Sequence, residues 1–394
     1  MTEAAMTQNE RDYRWAFWPL LPIYPYGRRR TLRREVVPKQ IWVFEQIQGI
    51  FYVVTPVRMT VIRLQEGGLF VYAPIAPTKE CIRLLRELEA EHGDVKYIIH
   101  PTSSGLEHKV FVGPFARKCP KATIFVAPSQ WSFPLNLPSS WLGIPSSRTQ
   151  VLSESQQPPF ADEFDFSILN PVNLNLGYFQ EIAMVHKNTQ TLLVTDCLVS
   201  IPSHPPDVVQ MEPYPLLFHA KNHAKDDVFD DTENRQKGWQ RITLFSFYFR
   251  SGALRVKGLF QTLKEAKLSG DRTAKNYFGL YPFDWQSNWQ ESFESLSSGG
   301  RLLVAPILRN LILNRQPQDV LSWVDEIASW NIQQIIPCHL EAPIAASGEE
   351  IKVAFSFLKE GSQVSLPAPD MEFMESLDRN LQRLKVTPPA KVKV

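Results

Sequence analysis

Three positions in this 394-residue chain place a metal-ligating or proton-transferring group at the end of an apolar run: Glu107-His108, Asp196 and His339. The first closes the stretch that runs from Val95-Lys-Tyr-Ile-Ile-His100 through Pro101. The second follows Thr191-Leu-Leu-Val-Thr195, and the third follows Ile332 to Ile336 and Pro337-Cys338. Imidazole and carboxylate are the ligands that a divalent transition metal prefers. In open α/β sheets, ligands gather at the carboxyl ends of strands, which is where these groups fall. Each position also has a plainer use. Glu107-His108 can belong to a surface loop, Asp196 can cap a turn, and His339 can be a hydrogen-bonded core histidine. His100, at the end of the first strand, is a replacement ligand or a packed strand-end residue. Cys197 and Cys338 each adjoin a candidate ligand. They read as soft extra ligands or a redox-sensitive pair, or as the small buried residues that free cysteines usually are.

The elements that must position these groups follow from periodicity. Ile41–Phe44, Ile50–Val54, Met59–Leu64 and Leu69–Tyr72 are short β-branched or aromatic runs separated by turn residues, an antiparallel meander. Thr78 is an N-cap for a helix with Cys81, Leu84, Leu85 and Leu88 on one face, and Gly93 is its stop. Val95–Ile99 then reads as a buried strand, 101–108 as a polar loop, and Lys121–Val126 as the next strand after a short helix. Pro128 to Asn170 reads as irregular. Phe179–Val185 and Thr191–Thr195 flank a turn as a hairpin that delivers Asp196. Residues 240–330 read as mostly helical, Ile332–Ile336 as a strand, and Glu350–Leu358 and 371–384 as amphipathic helices. The acidic group Asp226, Asp227, Asp230 and Asp231 reads as a solvated loop.

Composition narrows the function classes. A formal net charge of +1 offers no electrostatic argument for nucleic acid. Four scattered cysteines make no CxxC pair, so a zinc finger is excluded and a reducing compartment is the default. No apolar run is long enough to span a bilayer, and the N-terminus has no signal-type apolar core, so the expected location is cytoplasmic. Residues 13–34 join an aromatic, proline-broken run to Arg28, Arg29, Arg30, Arg33 and Arg34. That arm offers peripheral membrane contact as an alternative, although it lacks amphipathic helical periodicity. The simpler reading packs it over the domain with its arginines paired.

The order of elements resembles the metallo-β-lactamase superfamily. Thr102-Ser-Ser-Gly-Leu-Glu-His108 is similar to the family's Thr-His-x-His-x-Asp-His, with Ser103 and Gly105 in place of the first two histidines and Glu107 in place of the aspartate. Leu192-Leu-Val-Thr-Asp196 is similar to the context of the family's bridging aspartate, and Ile335-Ile-Pro-Cys-His339 to that of its last histidine. Leu176-Gly-Tyr178 stands about where the middle histidine belongs, and Tyr72-Ala-Pro74 where an aspartate is usual. More narrowly, Phe70 to Pro77 and Ile98 to Lys109 resemble a branch of the superfamily known as a domain of unknown function, found in cyanobacteria, plants and some other bacteria. The resemblance implies an α/β fold, a four-layer αβ/βα sandwich, over residues 40–360 with a helical insertion at about 202–330. Residues 1–39 form an irregular arm, and 361–394 a helix and basic tail.

The resemblance also implies which half of a binuclear site is kept. The three histidines that hold one metal are gone, and the positions around the other survive as Glu107, His108, Asp196 and His339. That set suits one Zn, Fe or Mn ion, with Glu107 a ligand, a base or an outer partner. Two functions compete. The degenerate ligand set favours a non-classical or pseudo-enzymatic protein whose fold serves binding or assembly, with a small molecule or protein as partner. The alternative is a mononuclear metal-dependent hydrolase acting on an ester, thioester, lactone or phosphoester, with Glu107 as the base.

Overall fold

The computed structural model describes residues 10–15, 24–103, 106–131, 136–362 and 366–394, with the side chains of Leu106 and Glu107 outside that set. The strands of the two large sheets are β1 (Leu32–Val37), β2 (Ile41–Ile50), β3 (Val53–Arg63), β4 (Leu69–Tyr72), β5 (Val95–His100), β6 (Thr123–Val126), β7 (Thr149–Val151), β8 (Phe164–Ile168), β9 (Ile182–His186), β10 (Thr191–Val194), β11 (Gln334–Pro337) and β12 (Ile344–Ala345). The helices that concern the site are α1 (Lys79–His92), α2 (Leu106–Lys118), α3 (Tyr214–Ala220), α4 (Thr232–Tyr248), α5 (Pro317–Ala328), α6 (Gly348–Phe355) and α7 (Ala368–Arg383).

β1 to β7 form one sheet in chain order. It is antiparallel through β4 and parallel from β4 to β7. A second sheet has the order β12-β11-β10-β9-β8, antiparallel except where β10 and β11 run side by side. Side chains on a strand alternate between its faces, and that alternation builds the layers. Ile41 and Val43 of β2 and Phe70 and Tyr72 of β4 point to a core shared with Ile182, Met184, Leu193 and Ile336 of the second sheet. Trp42, Phe44, Leu69 and Val71 point the other way, onto Cys81, Leu85 and Leu88 of α1 and Val112 and Phe115 of α2. Ala183, Val185, Leu192 and Ile335 leave the second sheet to meet Val320, Trp323, Val324 and Ile327 of α5 and Ile351 and Phe355 of α6. The fold is therefore the four-layer αβ/βα sandwich.

Helix α1 starts and stops where its chemistry requires. The Thr78 side chain accepts from the Cys81 N–H, and Gly93 leaves the helix at φ +95°. Several boundaries differ from the sequence reading. β2 and β3 are one long hairpin turned at Phe51-Tyr52 rather than three short strands. Leu254–Val256 and Phe283–Trp285 pair as strands, so helical periodicity there begins only at Leu259 and Trp289. The segment 128–170 supplies β7 and β8, the latter an edge strand of the second sheet. Asp231 caps α4 by accepting from the Asn234 N–H, so part of the acidic group has a local structural task.

The residues after Asp196 build most of a fourth core, with Trp239, Ile242 and Leu244 of α4 packed among Leu216, Phe218 and Met371, joined by Tyr24 of the arm and by Ile47, Tyr52 and Val54 of the β2–β3 hairpin. The arginines of the N-terminal arm are engaged with the domain. Arg29 is buried and donates to the Ile47 carbonyl, while Arg30, Arg33 and Arg34 pair with Glu80, Glu87 and Glu45. Part of that arm, 16–23, lies outside the described residues. Among the described residues no helix is long and apolar enough to cross a membrane.

Candidate metal centre

His108 lies in the first turn of α2, so the polar loop after β5 ends three residues earlier than the expected 101–108. Its imidazole is fully buried, and neither ring nitrogen has a hydrogen-bond partner among the described residues. Buried polar atoms are rarely left so, and an orphaned imidazole facing a carboxylate has the chemistry of a ligand position. Glu107 falls beside it in the chain, but its side chain lies outside the described residues.

Asp196 follows β10. A group absent from the sequence reading holds it there: Glu181, entirely buried just ahead of β9. The Glu181 carboxylate accepts the N–H groups of Thr195, Asp196 and Cys197 at 2.6, 3.0 and 3.0 Å. Burial pushes the Glu181 carboxyl up, and the charge of Asp196 adds to the shift against these donors. Burial also acts to raise the Asp196 carboxyl. The two imidazoles facing it outweigh that and hold it well below the usual carboxylate range.

His339 follows β11. Its Nδ1–H donates to the Pro56 carbonyl at 2.8 Å, which turns Nε2 toward Asp196 Oδ1 at 3.0 Å. The backbone that carries His339 is clamped by Arg58 of β3. The Arg58 guanidinium donates to the carbonyls of Pro337, His339 and Leu340, and its backbone N–H donates to the Cys338 carbonyl. Arg58 is itself paired with buried Glu45, which also receives Arg34. The loop docks here because β4 pairs only with Thr60–Arg63 of β3, leaving the Pro56–Arg58 edge open.

Among the described residues, His108, Asp196 and His339 offer ligand atoms that all lie within 4.8 Å of one another. His108 Nε2 is 3.9 Å from Asp196 Oδ1. Two ligands on one tetrahedral zinc stand roughly 3.3 Å apart, between the two separations found here. With Nδ1–H committed to Pro56, His339 Nε2 is the ring nitrogen that faces the carboxylate, the orientation a metal ligand beside Asp196 needs. The residues present thus fit a divalent metal. His100, Cys197 and Cys338 are buried but are not members of this cluster. Burial, reinforced by Lys109 and His108, holds His100 far below its ordinary range, and burial likewise raises the Cys197 thiol.

Of the positions where the resemblance lacks a histidine, Gly105 lies outside the described residues and Ser103 has another use. The Ser103 hydroxyl donates to the Tyr178 carbonyl, and its carbonyl accepts from the buried Lys109 ammonium, which also reaches the Trp131 carbonyl at 2.7 Å. Burial brings the Lys109 pKa down to about 8. In Leu176-Gly-Tyr178, a Cβ on Gly177 would lie 2.5 Å from the Trp131 ring, so a side chain has no room at that position.

Residues 38–357 match the family described as a domain of unknown function, DUF4336. The chain belongs to that family. No curated protein matches it. Among solved structures, a flavo di-iron protein variant from Thermotoga maritima is similar at 7% identity and a TM-score of 0.44, over 84% of this chain and 62% of that one. The metal-soaked Flv1 flavodiiron core from Synechocystis sp. PCC6803 is similar at 9% identity and a TM-score of 0.41, over 83% of this chain and 60% of that one. The DIM-1 metallo-β-lactamase is similar at 9% identity and a TM-score of 0.39, over 83% of this chain and 97% of that one. The DUF4336 chain therefore spans about 60% of the flavodiiron core.

Proposed function

We propose that this DUF4336 protein holds one divalent transition metal through His108, Asp196 and His339 and hydrolyses an ester, thioester, lactone or phosphoester there. The observation that carries the reading is the convergence of two imidazoles and a carboxylate, one imidazole buried without a hydrogen-bond partner among the described residues. When bound, the metal supplies Lewis acidity and a water acidic enough to react near neutral pH. The chain's own residues do the rest. Pro56 fixes the tautomer of His339, Glu181 fixes the Asp196 backbone, and Arg58 fixes the His339 loop. Glu107, next to His108 in the chain, is the candidate acceptor of the water proton. The water oxygen adds to the acyl carbon or phosphorus, the bond to the departing oxygen or sulfur breaks, and the proton passes to that leaving group.

A non-catalytic reading has one observation in its favour: Ser103 and Gly177 stand where further ligands would be, each closed off by packing. Elemental mass spectrometry on tag-free protein separates the possibilities. About one metal per chain, lost in a His108→Ala/His339→Ala double variant, is the expected result. No metal after loading with zinc, iron and manganese overturns the metal centre. One metal per chain with no turnover across a panel of esters, thioesters, lactones and phosphoesters leaves the metal a structural role.

A further inference from the structure

His339 forms one corner of a cavity of about 980 Å³, whose other polar side chains are Gln48, Thr55, Ser246 and Tyr277. The remaining wall comes from the β2–β3 hairpin and from the segment inserted after Asp196. Phe51 lies on the hairpin side, and Phe218, Phe245, Phe249 and Phe283 on the other. Among the described residues no lysine, arginine, aspartate or glutamate lines it. Ligand pockets run from roughly 300 to 1,000 Å³, so this one accepts a sizeable molecule.

Backbone geometry at the walls adds a second observation. Phe51, Phe249 and Tyr277 all line the cavity, and all three sit at positive φ, at +51°, +57° and +47°. Bulky L-residues avoid that region, and such conformations gather where ligands are gripped. A two-residue hairpin turn normally takes asparagine and glycine, whereas here Phe51 and Tyr52 occupy it. The Phe51 side chain is left 62% exposed, and its ring lies 5.9 Å from that of Tyr277. Aromatic rings have been retained at the mouth at the cost of turn chemistry.

We infer that this cavity receives the hydrocarbon part of the substrate: an uncharged, lipid-like ester or thioester whose carbonyl reaches the His339 corner. The carbonyl half of this statement rests on the hydrolase reading above; the hydrocarbon half rests on the cavity alone. A charge-free wall rejects a charged body, because an ion leaving water there finds no partner. Hydrolysis then places the water oxygen on the acyl carbon, releases an alcohol or thiol that takes the proton, and leaves a fatty acid.

The test uses the full chain and the neutral fluorophore N-phenyl-1-naphthylamine, displaced by straight-chain alcohols from butanol to dodecanol. Affinity is expected to rise about three- to fourfold per methylene until the cavity is filled. Ser246→Trp, which fills the cavity from α4, is expected to weaken displacement at least tenfold with an unchanged melting temperature; Phe245→Lys serves if that variant does not fold. His108→Ala, which does not touch the cavity, is expected to lose the metal and keep the fluorophore. No fluorophore binding, displacement independent of chain length, or normal binding by a folded cavity variant overturns the inference. Normal chain binding with no cleavage of p-nitrophenyl esters from acetate to laurate overturns the hydrolase reading and leaves the hydrocarbon site standing.

Discussion

At the scale of single residues, Glu181 decides more than its sequence context suggests. It lies in Phe179-Gln-Glu-Ile-Ala-Met-Val185, a run whose apolar pattern announces a strand and hides a carboxylate. Three backbone donors converge on it, and through them it sets the position of Asp196. In Glu181→Gln the amide group turns a donor toward donors. The buried N–H groups lose an acceptor, and hydrogen bonds to a charged group contribute about 1.5–3 kcal/mol each. We expect a stability loss of about 2–4 kcal/mol, read as a lower urea midpoint. Metal affinity should fall 10- to 100-fold, as is common when the partner orienting a ligand is removed. A competition titration with a chelator measures it, and unchanged affinity would remove Glu181 from the site's support.

At the scale of elements, two contacts hold the site's surroundings together. The loop after β11 rests on β3 through Arg58, which is 1% exposed and paired with an equally buried Glu45. Arg58→Met leaves that carboxylate with only Arg34, itself part-exposed, and should cost about 3–5 kcal/mol. Glu45→Met/Arg58→Met should recover part of the loss, because apolar replacement of both partners leaves no buried charge. Chemical denaturation of the single and double variants checks both statements. The second contact is between α3 and α4. A Cβ on Gly238 would lie 1.9 Å from the Leu216 carbonyl oxygen, a backbone atom that cannot turn aside. Alanine is the better helix former by about 1 kcal/mol, but the clash is the larger effect. Gly238→Ala is expected to lower the thermal midpoint and to loosen the cavity wall that Phe218 and Phe245 provide. A rise in the midpoint would show that the helices part easily.

At the scale of the whole molecule, buried neutral histidines give the fold a pH dependence. Burial holds the folded pKa of His186 at about 4 and that of His219 at about 3. The unfolded chain protonates these residues near 6.5, so below that pH it binds more protons than the folded one. Stability present above about pH 6.5 is therefore lost as pH falls toward 4. Each histidine contributes about 2 kcal/mol of that loss by about pH 5, at roughly 1.4 kcal/mol per pH unit. Urea midpoints at neutral pH and at about pH 5 should differ accordingly. His219→Phe, placed among the rings of Phe245 and Phe283, should remove that histidine's own share of the difference, about 2 kcal/mol.

Local chemistry alone determined the meander, the capped helix α1, the hairpin before Asp196 and the strand before His339. Their signals are alternation, helical spacing, a Thr78 cap and a Gly93 stop, and all of these act within a few residues. The candidate ligands were legible for the same reason, because each stands where an apolar run ends. Other features depended on partners distant in the chain. β8 is an edge strand with a weak alternating pattern, and only its pairing with β9 makes it a strand. Arg58 and His339 are 281 residues apart, and Glu181 reads as one polar residue among apolar ones until the loop from Thr195 to Cys197 closes over it. The cavity at His339 exists because the segment inserted after Asp196 folds back onto the β2–β3 hairpin. Spacing along a chain does not encode such a juxtaposition; only the packing of the layers brings Phe51, Phe245 and His339 around one space.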